Sequence, residues 1–361
     1  MTDVMKKTVP ARQIALFAAC VLPVYKLVET PSLLAALLQG DLLVPAILHY
    51  LVQTGVLLAL LLGAKRLGKP LFSRLNGPFW YIVYGAFYLF YAVLPLLDLE
   101  KLTYAAFYDT APTFFTFGFF FLLCAFICTQ PFKSLGRFAD ISLFLFALPF
   151  FLLLAMALGE ADFSGLLPIF ESEFKDTLSA FNTVKPHFCD VVLLLPLLGN
   201  WQYKKGDVRK IVLGYGAGGV CTLLFLAVFY GLYSTVAGAE HYAFVNIAQY
   251  FPALSAIGRV DLLLVYALCV ILFVFTCLPL FYTTECIHRV TKTKFRVVIA
   301  AVVTLAAFLF TLFCNKYYNG IYGLFTTLLT PVFWLTADVL PLFLLLKKEN
   351  VYAKKKKTSR A

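Results

Sequence analysis

The sequence predicts an all-α integral membrane protein of about ten transmembrane helices. Three observations carry that expectation. Of its 361 residues 61% are hydrophobic and 14% charged, with a mean hydropathy of +0.86. The apolar residues form unbroken runs of membrane length, without the alternating ten-residue strands of an outer-membrane barrel. The basic residues recur between alternate runs. A soluble domain carries roughly 45–50% apolar and about 25% charged residues, so lipid must cover much of this surface.

Crossing the hydrocarbon core takes about 20 apolar residues. The first run of that kind, near 12–38, follows a basic N-terminus and contains Pro23, Lys26 and Glu29. The second, 42–63, stops at Lys65-Arg66, and the third, 79–103, opens beside Trp80. The fourth (112–130) and fifth (139–159) flank a loop with Lys133 and Arg137. The sixth, 186–203, is short, carries Pro196 and ends near Trp201; the seventh, 211–237, starts with Gly214-Tyr-Gly216-Ala-Gly218-Gly219. That glycine run follows no strand, so it predicts close helix packing rather than a phosphate loop. The eighth, ninth and tenth fall near 260–285, 296–314 and 321–346, ahead of a basic tail, 347–361. The chain, 1–361, is therefore expected to be one transmembrane domain.

Charge sets the expected orientation. Of the 30 Lys and Arg, 24 fall on one side of this topology and five on the other, with Lys26 inside the first span. Positive loops stay cytosolic, so both termini are expected inside. The net charge of +11 is dispersed over loops and forms no stripe that could track nucleic acid. Lys354–Lys357 suit an anchor near anionic headgroups. The nine cysteines lie almost wholly in apolar runs, which fits small-residue packing rather than a disulfide framework. No metal cluster, nucleophile elbow, phosphate-binding glycine loop or HExxH is present. No cofactor and no enzyme activity are expected.

The first and sixth spans carry the functional signal. Proline removes a backbone donor, and Lys26, three residues past Pro23, is costly in a bilayer without a partner or water. Pro23 and Pro196 each lie about a dozen residues into helices one and six of ten. That spacing predicts a five-plus-five inverted repeat, repeat one about 12–159 and repeat two about 186–346, with a ligand site where helices 1 and 6 break. The long loops 64–78 and 238–259 would be symmetry mates. The competing reading makes both prolines ordinary transmembrane kinks.

Lys26 and Glu29 are three residues apart, and Asp190 precedes Pro196 by six. One expectation pairs Lys26 with Asp190, Glu29 nearby, as a latch over the cavity. The alternative lets Glu29 and Asp190 reach interfacial water. Asp140, Glu285 and Asp338 are expected to snorkel or cap at helix ends.

Pro31 to Gly40-Asp41 resembles the start of helix two in the endospore germination permeases, the GerAB-type B subunits of nutrient germinant receptors. Phe188-Cys-Asp190, five apolar residues and Pro196 resemble their sixth helix. Leu167-Pro168-Ile-Phe170-Glu171 is similar to an external loop. Phe251-Pro252, Arg259-Val-Asp261 and Phe273 are similar to the approach to helix eight. The chain departs from the family at Val24-Tyr25-Lys26, where a Gly-Thr pair is common, and at Leu268, where Trp is common.

The resemblance implies the amino acid–polyamine–organocation transporter superfamily and its LeuT/APC-like fold. It implies a spore inner-membrane sensor of a small nutrient, an amino acid by expectation, working with an A-type membrane subunit and a C-type lipoprotein. Ligand contacts are expected from Cys20, Val21, Leu22, Pro23, Leu195, Pro196 and Gly199, flanked by Tyr88 and Thr276. Tyr88 could equally be core packing, and Thr276 a hydroxyl bonded back to its own helix. The alternatives are a proton-coupled secondary amino acid transporter and, less well matched, an ion or water channel.

Overall fold

A computed structural model describes residues 9–67, 78–107, 113–168, 170–201, 203–250, 260–292 and 295–346. Among these every regular element is helical. The first half contains α1 (Ala11–Cys20), α2 (Leu22–Lys26), α3 (Thr30–Leu38), α4 (Leu43–Leu67), α5 (Pro78–Tyr91), α6 (Val93–Phe107), α7 (Thr113–Thr129) and α8 (Phe132–Leu158). The second contains α9 (Phe174–Thr183), α10 (Asp190–Leu198), α11 (Asp207–Tyr233), α12 (Ala243–Tyr250), α13 (Val260–Thr291), α14 (Arg296–Asn315), α15 (Tyr318–Gly323), α16 (Thr330–Trp334) and α17 (Leu340–Leu346). The expected loop 64–78 and the segment Phe251-Pro252 to Arg259 lie wholly or partly outside the described residues, as does the basic tail.

Six helical stretches among the described residues are long and apolar enough to cross a membrane, eight if two bent pairs each form one span. The chain is thus a multi-helix integral membrane protein, and three of its apolar segments are interrupted. Residues 12–38 are not one rod: they divide into α1, α2 and α3, and a 3-10 turn (Gln39–Leu42) joins α3 to α4. The sixth span is bent by 61° between Phe174–Thr183 and Lys185–Leu198, and the tenth by 57° between Tyr318–Leu328 and Thr330–Phe343. The first bend follows Val184, whose N–H still reaches Ala180, just ahead of Pro186; at the second, Leu329 donates five residues back, to Leu324, just ahead of Pro331.

The core assembles around α1, which packs between α11 and α8, while α13 packs along α5. Glycine sets the first contact. A Cβ on Gly218 would stand 2.7 Å from the Ala18 carbonyl and 2.9 Å from the Pro23 ring, and one on Gly214 would overlap the Ala15 carbonyl. Gly216, on another face, has nothing within 4 Å. Lipid-facing positions stay apolar and exposed, as at Leu122, Phe144, Leu148 and Phe313.

A second close approach joins two sequence motifs. Asp41 accepts the backbone N–H groups of Phe170 and Ser172, both at 2.7 Å. Phe170 has φ of +69°, and the two bonds to one carboxylate hold that uncommon geometry. A side chain at Gly40 would overlap the Gly165 carbonyl. The Gly40-Asp41 pair therefore seats the 164–172 loop.

Candidate functional site

Pro23 stands at the second position of α2, where a missing N–H costs little. Val21 keeps a right-handed conformation and donates to Phe17, so α1 and α2 meet at a kink. The full interruption comes later. Leu27 and Val28 donate three residues back, to Val24 and Tyr25, and Val28 accepts from Ala243 of α12. The chain then restarts at Thr30, with Pro31 at the second position of α3.

In the sixth segment the interruption does not fall at Pro196, which lies inside α10. A proline there leaves the Val192 carbonyl without its helical donor, and the hydroxyl of Tyr88 donates to that carbonyl at 2.8 Å. The helix is therefore kept through Pro196. It ends at Gly199, whose N–H reaches Leu195, while Asn200 Nδ2 donates to Pro196. The irregular stretch lies upstream, where Lys185–Phe188 form a 3-10 turn and Cys189 adopts φ −100°, ψ 38°.

The two irregular stretches meet through charge. Lys26 ends α2 and Asp190 begins α10; Lys26 Nζ lies 2.6 Å from Asp190 Oδ1, with both side chains buried. Tyr215 of α11 donates to the other Asp190 oxygen at 2.8 Å, and Lys26 also donates to the Leu22 carbonyl. The rings of Phe188 and Tyr50 face the ammonium at 5.2 and 5.7 Å. Both carboxylate oxygens are thereby engaged, as a buried pair requires.

A second buried pair closes the same region. Lys185 Nζ lies 2.5 Å from Asp338 Oδ2, and Gln53 of α4 donates to Oδ1 while accepting from the Val191 N–H. Asp338 does not snorkel, as its place near a helix end suggested; it turns inward to meet Lys185. Asp140 holds Arg12 and Gln13, and Glu285 holds Arg289 and Arg296.

Glu29 departs from the latch because the turn at 27–29 rotates it off the α2 face. Its two oxygens lie 3.4 Å from the Tyr318 hydroxyl. That hydroxyl is closer, at 3.1 Å, to Asp98, which also accepts from Tyr25 at 2.6 Å. Tyr318, Glu29 and Lys101 line a cavity of about 370 Å³.

The other expected contact residues are placed as follows. Cys20, Val21, Leu22, Pro23, Leu195 and Pro196 are buried in packed helix, and Gly199 is half-buried. Thr276 donates to Phe273 of its own helix. Tyr88 couples α5 to α10. The residues that sequence reasoning missed are Asp98, Gln53, Lys185 and His187, the last bonded to Thr30 at 3.1 Å. Asp98 had a signal: Tyr81, Tyr84, Tyr88 and Tyr91 keep a three–four spacing along α5, the spacing of one helix face, and Asp98 follows Tyr91 by seven residues. Among the described residues no group of three or more His, Cys, Asp or Glu is placed to hold a metal.

No curated protein sequence matches the chain. The family model for spore germination proteins does match, over residues 42–318, which takes in Asp98, Lys101, Asp190 and Tyr215. That match covers most of the chain, and with it this membrane protein belongs to the spore germination permease family.

Proposed function

We propose that the chain is the nutrient-sensing membrane subunit of a spore germination receptor, with a small nutrient, an amino acid by expectation, bound between the interrupted first and sixth segments. The observation that carries this reading is the buried Lys26–Asp190 pair, which ties the end of one interrupted stretch to the start of the other. Cys20 to Pro23 and Leu195 to Pro196 are packed shut in this form, so a ligand entering between them must part α2 from α10 and strain the latch. Ligand binding then biases two arrangements of the same segments, which is the physical basis of a signal. The family and the charge bias support a place in the spore inner membrane with both termini cytosolic. The resemblance supports an A-type membrane subunit and a C-type lipoprotein as partners.

The test is a charge exchange. Lys26→Asp and Asp190→Lys are expected each to abolish germination in the cognate nutrient, found by a nutrient screen of the deletion strain, and the double exchange to restore part of it. A double exchange no better than either single change would count against the latch. The second reading, a proton-coupled amino acid transporter, is favoured by the carboxylates of Glu29 and Asp98 gathered on Tyr318. Labelled amino-acid uptake by the protein alone, driven by a pH gradient in proteoliposomes, would select it.

A further inference from the structure

We propose that the cavity between Glu29 and Lys101 is a second binding site, selective for zwitterionic α-amino acids and separate from the breaks. It lies where α3, α6, α15 and the 238–242 loop meet. By the sidedness proposed above this face is external, so a nutrient reaches it first. Its wall carries an acidic and a basic side chain together with aromatic rings and an imidazole: Glu29, Lys101, Tyr318, Tyr322, Tyr242 and His241.

Neither side chain is held in an ion pair among the described residues. Tyr318 has a single hydroxyl proton, and Asp98 is its nearer acceptor, at 3.1 Å against 3.4 Å for both Glu29 oxygens. Glu29 is left with weak contacts on a half-buried carboxylate. Lys101 Nζ sits 4.0 Å above the Tyr318 ring, and no carboxylate stands within ion-pair distance of it among the described residues. An ammonium held over a ring keeps its outward donors free for an anion.

The spacing admits an α-amino acid. Glu29 and Lys101 are too far apart to pair, and the path through the Tyr318 ring bounds their separation at about 10 Å. An α-amino acid that donates its ammonium to one and accepts on its carboxylate from the other spans roughly 8 Å, counting a hydrogen bond at each end. A lone amine or a lone carboxylate would satisfy one charge and leave the other. The rings of Tyr242 and Tyr322 leave an amphipathic wall for the side chain. This inference needs no ligand at the breaks.

The experiment uses the full chain in lipid nanodiscs, with Asn319→Cys as a reporter on the cavity rim and glycine as the probe. Seven of the nine native cysteines are buried, and labelling of the parent chain gives the background. Glycine at millimolar concentration is expected to slow maleimide alkylation of the reporter, whereas acetate or methylamine alone does not. Lys101→Met and Glu29→Gln should each raise the glycine needed at least tenfold, and Lys101→Arg should restore protection, which separates charge recognition from misfolding. Protection should survive in a Lys26→Met/Asp190→Leu background, so a failed latch would not be mistaken for a failed cavity. Lack of protection by glycine, equal protection by acetate, an unchanged response in Lys101→Met, or loss of protection in the latch variant would each overturn the proposal.

Discussion

Tyr88 donates its hydroxyl to the Val192 carbonyl, the one backbone acceptor that Pro196 deprives of its helical donor. A side chain on α5 thus replaces a main-chain bond of α10, and Tyr88 is fully buried in doing so. Tyr88→Phe strands that carbonyl in an apolar core and is expected to cost about 1–2 kcal/mol, by thermal unfolding in nanodiscs. In a Pro196→Ala background the alanine N–H supplies the missing bond, so the same change should cost less than half as much. Equal costs in both backgrounds would mean that the tyrosine acts by packing alone.

The buried pairs behave differently from surface ion pairs. Removing one partner leaves an uncompensated charge in low dielectric, at about 3–5 kcal/mol. Lys26→Met and Asp190→Leu are each expected to fall in that range, and the double substitution to lose clearly less than their sum. The same cycle on Lys185 and Asp338 should show coupling of similar sign, because Gln53 and Val191 depend on the orientation of Asp338. Additive costs in either cycle would show that the pair is not coupled.

Sequence patterns carried composition-level and motif-level features well, and interruption points poorly. Lys26 was conspicuous because a lone ammonium in an apolar run demands a partner, and the buried Asp190 was the acid available in the other proline-bearing segment. Asp98 was easier to overlook: it falls near the end of a long apolar run, where a charge can be solvated. Its partners Tyr25 and Tyr318 are far away in sequence. Pro196 misled for a physical reason. A proline marks a missing donor, but whether the helix breaks depends on whether another group donates, and Tyr88 lies 104 residues from the Val192 carbonyl that it serves. Asp338 misled similarly, since only the fold brings Lys185 to it.

Asp41 gives a prediction outside the proposed site. Its carboxylate carries two short bonds to backbone N–H groups of the 170–172 stretch, one of them from a residue with positive φ. Asp41→Ala removes both acceptors and is expected to release the loop, raising its cleavage by an added protease at least tenfold. Asp41→Asn, which keeps one acceptor oxygen, should lie between. Unchanged cleavage in Asp41→Ala would show that the loop is held by other contacts.

The glycines of α11 offer a matched comparison within a single helix. Gly214 and Gly218 face the backbone of α1 so closely that a methyl group must push the two helices apart, and Gly218 also borders the Pro23 ring. Gly216 points into open space. Overpacking typically costs about 1–3 kcal/mol, whereas a mid-helix Gly→Ala change without a clash gains a few tenths through propensity. Gly218→Ala is therefore expected to lower the thermal midpoint, and Gly216→Ala to leave it unchanged or raise it slightly. The displaced α1 would carry Pro23 and Lys26 with it, so Gly218→Ala should also weaken the Lys26–Asp190 coupling in a double-mutant cycle. A coupling energy identical to that of the parent chain would show that the α1–α11 contact and the charge pair are mechanically independent.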